Sequence, residues 1–239
     1  VMDTLRAKYA RQNANQDYQL LKASTPIIGV WDDHDYGIND GDKRFAQKKE
    51  SRDLMFDFLG MPADALERRR EGGYSAHTYG TGDQQVKVIL LDGRYFRDTL
   101  SRLDRQYQVN LTGQMLGDAQ WKWLEEELNS STARVNFIVS GVQFLPTEHV
   151  YEKWANFPKE REKLLDLIAR SGAQNPILMS GDRHISEIMK LVDTRFPKGL
   201  YEITASGLTH TWNGIAEEKN SFRVSVLVAQ LNYGMASFD

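Results

Sequence analysis

The chain contains no cysteine, so it can form neither a disulfide nor a thiolate metal site, and its compartment stays open. Long apolar runs are missing too, so no span of a bilayer is expected. No signal-peptide pattern stands at the start, although a chain shortened there would have lost one. A basic excess is also absent: 30 Lys and Arg against 33 Asp and Glu leave a net charge of −3. A chain whose main partner is a phosphate backbone usually shows the opposite balance, so nucleic acid is not indicated. The remaining composition, 41% hydrophobic and 26% charged over 239 residues, is ordinary for a globular protein with a substantial core. Without an internal repeat, a low-complexity segment or a linker, residues 1–239 read as one domain.

Two stretches carry chemistry. Ile27 to Trp31 is a short apolar run that reads as a buried strand and opens into Asp32-Asp33-His34-Asp35-Tyr36. Two carboxylates about 5 Å apart repel by roughly 3 kcal/mol at an effective dielectric of ~20, so three within four residues call for a cation. The plainer alternative is a solvated acidic turn. Pro176 to Ser180 is a second apolar run, ending in Gly181-Asp182-Arg183-His184. Two strand ends that both offer Asp and His favour a metal site, because ligands of open α/β sheets bind at that edge. The mixed oxygen and nitrogen donors suit Fe, Mn or Zn.

With Leu90-Leu91-Asp92-Gly93-Arg94-Tyr95-Phe96-Arg97-Asp98 and Leu116-Gly117-Asp118-Ala119-Gln120-Trp121 between them, these motifs resemble the PhoD-like metallophosphatases of the calcineurin-like superfamily. The resemblance implies an α/β fold, the four-layer αββα sandwich with two mixed β-sheets, here without its first strands. It implies hydrolysis of phosphate esters at two or more metal ions, Fe with Ca, Mn or Zn, through a metal-activated hydroxide. Asp33 and Asp182 then ligate one metal and His184 the other, while His34 faces the substrate and assists the leaving oxygen. Asp32 and Asp35 would orient that histidine and shape the loop. Arg94 and Arg183 are the expected contacts to a small-molecule phosphate ester. For Arg94 the residues leave a second reading open, in which it ties down a loop with Asp92. The family also takes an Asp and a Tyr from earlier strands, so the chain is expected to be a C-terminal portion carrying about half of the site. A non-catalytic remnant that acts as a binding protein is the alternative function.

The other elements follow in order. Helices are expected near Asp3–Tyr9, Tyr18–Leu21, Arg44–Leu59, from Asp118 as N-cap, and from Pro158 to Gly172. Asn39-Asp40-Gly41-Asp42 reads as a solvated turn. Tyr74–Tyr79 and Val86–Leu91 make a hairpin around Gly80-Thr81-Gly82-Asp83, with His77 structural. Residues 99–116 form the longest irregular stretch. Val135–Ser140 is a buried strand leading to Gln143, an outer or weak oxygen ligand by the resemblance. His149 is read as packed or exposed and His210 as lying near the cleft. Ile185–Val192, Leu200–Thr204 and Arg223–Leu231 read as strands.

Overall fold

The computed structural model describes residues 1–104, 106–215 and 217–238. Helices α1 (Met2–Asn13) and α2 (Gln16–Ser24) lead to the short α3 (Asp33–Tyr36) and to α4 (Lys48–Phe58). A mixed sheet then forms from β1 (Ser75–Tyr79), β2 (Val86–Leu90), β5 (Val135–Ser140), β6 (Pro176–Ser180), β7 (Ser186–Leu191) and β8 (Leu200–Ala205). Strands β3 (Arg102–Leu103) and β4 (Gln106–Tyr107) form a separate two-stranded ribbon. The mixed α/β class expected from the motifs is therefore present, with one six-stranded sheet and one small second sheet.

In the order β1-β2-β5-β6-β8-β7 the four central strands are parallel and the two edges antiparallel. Helix α5 (Gly117–Asn129) joins β2 to β5, and α6 (Pro158–Arg170) joins β5 to β6. These two βαβ crossovers cover one sheet face. Alternation along the strands sends Ile89, Ile138 and Leu178, all fully buried, against Leu124, Leu128, Leu164, Leu165 and Ile168 of the two helices. A smaller cluster of Trp31, Tyr36, Met55, Phe56 and Tyr95 packs under the acidic loop.

Several expectations need correction. Ile27–Trp31 is apolar as read, yet it pairs with no strand among the described residues. A strand exists only through its ladder, and apolar character reports burial rather than a partner. Arg223–Leu231 contributes only the bridges Met189 to Arg223 and Ser186 to Val228. Asp118 sits in the first turn of α5 without capping it. The Glu160 carboxylate instead accepts the Met115 N–H at 2.8 Å and the Trp121 indole N–H at 2.9 Å. Asp42 is buried in its turn, where its carboxylate is held by Arg44.

One row across the core face runs Ile89, Ile138, Leu178, Glu202, Met189. Glu202 is fully buried and accepts the Ser180 hydroxyl at 2.6 Å, the Phe144 N–H at 2.9 Å and the Leu145 N–H at 2.7 Å. Desolvation outweighs those donors and pushes its pKa up to about 7 from an ordinary 4.5. The folded state therefore holds this proton more tightly than the unfolded chain does. Its contribution to stability is complete below pH ~4.5 and is lost as pH rises through ~7, a swing of roughly 3 kcal/mol. The gap in urea midpoint between wild type and Glu202→Gln is expected to shift in favour of the variant from pH 5 to pH 8. A gap that stays constant over that range would contradict it.

Candidate metal centre

The chain end of β6 continues into Gly181-Asp182-Arg183-His184, where Asp182 (φ 64°) and His184 (φ 52°) both adopt left-handed backbone. Such φ values are uncommon for side chains other than Asn, Asp and His, and they aim both residues away from the sheet. The neighbouring strand β5 ends in Gly141, whose carbonyl accepts the Gly181 N–H at 2.9 Å. A Cβ at Gly141 would lie 2.4 Å from Asp32 Oδ1, so only glycine lets the acidic loop approach. Trp31 anchors that loop by donating its indole N–H to the buried Asp92 at 2.8 Å.

The result is that Asp32, Asp33 and Asp182 bring carboxylate oxygens within 4.8 Å of one another. The sequence reading placed Asp32 outside this set, as an orienting residue. The structure makes it the third member, and the run of three Asp in four positions was the signal. Asp33 is further held by accepting the His34 N–H at 2.7 Å and the Asp40 N–H at 3.0 Å. Asp35 faces inward, accepts the Asp32 N–H at 2.8 Å, and is raised to about 7 first by burial and then by Asp32. Its bond to the Asp32 N–H accords with the loop-shaping part of its expected role.

Burial first, and then the Asp32 charge, hold the Asp182 carboxyl well above the usual carboxylate range, with Arg94 opposing them. Asp32 Oδ2 is a buried oxygen without a hydrogen-bond partner among the described residues. Three crowded oxygen donors with one left unsatisfied fit a hard cation. His184 lies beside them, its ring 4.1 Å from that of His210, as expected for a residue near the cleft. Desolvation and then His210 lower the His184 pKa, which favours the neutral, ligating imidazole. His34 is exposed at the mouth, its Nε2 4.0 Å from Asp33 Oδ2.

Both expected substrate arginines are buried and engaged. Arg94, 1% exposed, donates from Nε to Asp32 Oδ1 at 2.8 Å and from Nη1 to Glu152 Oε2 at 2.6 Å. Arg97 shares the same Glu152. Arg94 thus serves as a counter-ion inside the acidic centre rather than as an open anion receptor, because the two carboxylates of Asp32 and Glu152 engage it where only one loop contact was foreseen. Arg183 is 2% exposed and makes two hydrogen bonds to Glu218 at 3.1 and 3.0 Å. Gln143 donates from Nε2 to Glu187 at 2.7 Å and to Thr204 at 2.8 Å, and lies outside the carboxylate cluster of Asp32, Asp33 and Asp182. His77 hydrogen-bonds Ser75 at 3.0 Å and is structural, as read.

His149 is packed, 6% exposed, with neither ring nitrogen hydrogen-bonded among the described residues. Burial, reinforced by Arg183 and Lys153, lowers its pKa to about 2. Keeping it neutral is a stabilising contribution present above the unfolded value of ~6.5 and lost as pH falls from there towards 2, at up to about 1.4 kcal/mol per pH unit. His149→Phe is expected to lose less stability than wild type does as pH falls from 8 to 4. Parallel acid-unfolding curves for the two proteins would show that another group governs the acid limb.

A family model described as PhoD-like phosphatase matches residues 2–235. Alkaline phosphatase D of Bacillus subtilis (strain 168) is 23% identical over 217 residues, covering 76% of this chain and 35% of that protein. A solved structure titled "Structure of PhoD" aligns with a TM-score of 0.58 at 21% identity, covering 74% of this chain and 39% of that one. The chain thus spans about a third of the length of the curated relative it matches. With the motifs in order along nearly its whole length, the chain belongs to the PhoD-like phosphatase family.

Proposed function

We propose that this centre hydrolyses phosphate esters with the help of bound metal cations. The observation that carries the reading is the convergence of the Asp32, Asp33 and Asp182 oxygens within 4.8 Å around a buried oxygen with no partner among the described residues. Asp33 and Asp182, joined by Asp32, would hold one cation, and His184 offers its imidazole to a second. When bound, such ions supply positive charge for the phosphoryl oxygens and lower the pKa of a water. The protein's own contribution is a cleft of about 220 Å³ that holds the ester, its acidic end flanked by His34 and His184. Arg94 holds Asp32 in place through their ion pair. His34, at the solvent edge, donates a proton or hydrogen bond to the departing oxygen.

That role of His34 has a measurable signature. An alkoxide needs a proton in the transition state far more than a nitrophenolate does, so the benefit of a general acid grows as the leaving group worsens. His34→Ala is expected to keep its metal, lose about 10-fold in kcat/KM on an aryl phosphate and ~10²-fold on an alkyl phosphate. Equal losses along the series would reject acid assistance, and loss of metal would make His34 a ligand.

A further inference from the structure

The cleft beside the carboxylates is also lined by Tyr151 and Trp212. Trp212 is 42% exposed although indole is among the most favourable groups to bury. Its backbone N–H donates to the His184 carbonyl at 3.1 Å, which ties it directly to the proposed centre. Its ring lies 5.0 Å from that of Tyr151 at 59°. Behind Tyr151, the Arg183 guanidinium sits 4.2 Å from the ring centroid, and Glu218 clamps that guanidinium with two hydrogen bonds. The wall is therefore braced from behind, so little side-chain entropy remains to be lost when something stacks on it. Tyr107 lines the same cleft, with Arg102 over its ring at 4.2 Å.

We propose that Trp212, backed by Tyr151 and Arg183, is a stacking subsite for a planar group on the organic part of the ester, giving the centre a preference for aryl or heteroaromatic phosphate esters. This rests on the phosphate-ester reading of the centre. A planar ring gains the offset or edge-on contact with indole that a saturated ring of similar apolar area cannot match. Nothing in the carboxylate cluster distinguishes the two, so the discrimination comes from the wall.

Phosphonates, whose carbon–phosphorus bond resists hydrolysis, separate the wall from the centre. In calorimetric titrations of the Mn²⁺-loaded protein, phenylphosphonate is expected to bind roughly fivefold more tightly than cyclohexylphosphonate. Trp212→Ala should bring that ratio to about one, and Trp212→Phe should keep most of it. Equal affinities in the wild type, with methylphosphonate still bound, overturn the subsite and leave the centre standing. A preference that survives Trp212→Ala also overturns it. Failure of all three phosphonates to bind the wild type overturns the phosphate reading and the subsite with it.

Discussion

On the proposed reading, Asp182→Asn should leave a folded protein that no longer takes up Mn²⁺ and loses well over 10²-fold in the proposed phosphatase turnover. Residues that merely orient a metal ligand already cost 10- to 100-fold when changed, so a ligand itself lies beyond that range. Asparagine preserves the shape and one oxygen but removes the charge. In the metal-free protein that charge is unfavourable, because Asp182 is buried beside Asp32 and binds its proton well above the usual range. The variant is therefore expected to be at least as stable as wild type without metal, and to lack the rise in Tm expected of the wild type on adding Mn²⁺. His184→Ala should also lower metal content and activity, without the gain in metal-free stability. Wild-type metal content in both variants would remove these residues from the centre, whatever the activity.

The largest expected effect on stability belongs to Arg94→Met. Methionine matches much of the arginine volume, so the change chiefly removes charge and donors. Arg94 is fully enclosed, with Asp32 Oδ1 2.7 Å from Nη2 and Glu152 Oε2 2.6 Å from Nη1. Removing one partner of a buried ionic network leaves uncompensated carboxylates, and such changes cost about 3–5 kcal/mol. The measurement is urea unfolding of the metal-free protein, read as the change in midpoint at constant slope. Two further outcomes are tied to the geometry. Arg94→Met/Glu152→Gln should regain part of the loss, since one orphaned charge has gone. Added Mn²⁺ should stabilise Arg94→Met more than wild type, because a cation at the Asp32 cluster replaces the positive charge that was removed. A loss under ~1 kcal/mol would mean that water reaches these carboxylates and screens them.

Much of the local structure was legible from pattern. Val135–Ser140 and Pro176–Ser180 were apolar runs of strand length, and both form central parallel strands as read. The glycine turn at Gly80–Asp83 joins β1 and β2 in the expected antiparallel pair. Pro158 starts α6, and Leu164, Leu165 and Ile168 face the core as their spacing required. These features depend on a residue and its near neighbours. Ile27–Trp31 and Arg223–Leu231 failed as strands because strand formation also needs a distant partner in register, and hydrophobicity does not name one.

The sequence by itself therefore determined the class of secondary structure, the family motifs and the kinds of ligand available: Asp and His at two loop starts, no thiolate, no basic excess. The tertiary structure alone decided which of those groups meet. It brought Asp32 to within 4.8 Å of Asp33 and Asp182 and engaged the Gln143 amide nitrogen with Glu187 and Thr204. It also enclosed Arg94 between Asp32 and Glu152, and stood Trp212 beside His184. The physical reason is that charge interactions fall off over a few ångströms and depend on burial, while the residues concerned lie as far as 150 positions apart along the chain, as Asp32 and Asp182 do. Their separation is set by sheet register and by the glycine at position 141, through which the acidic loop reaches the end of β6.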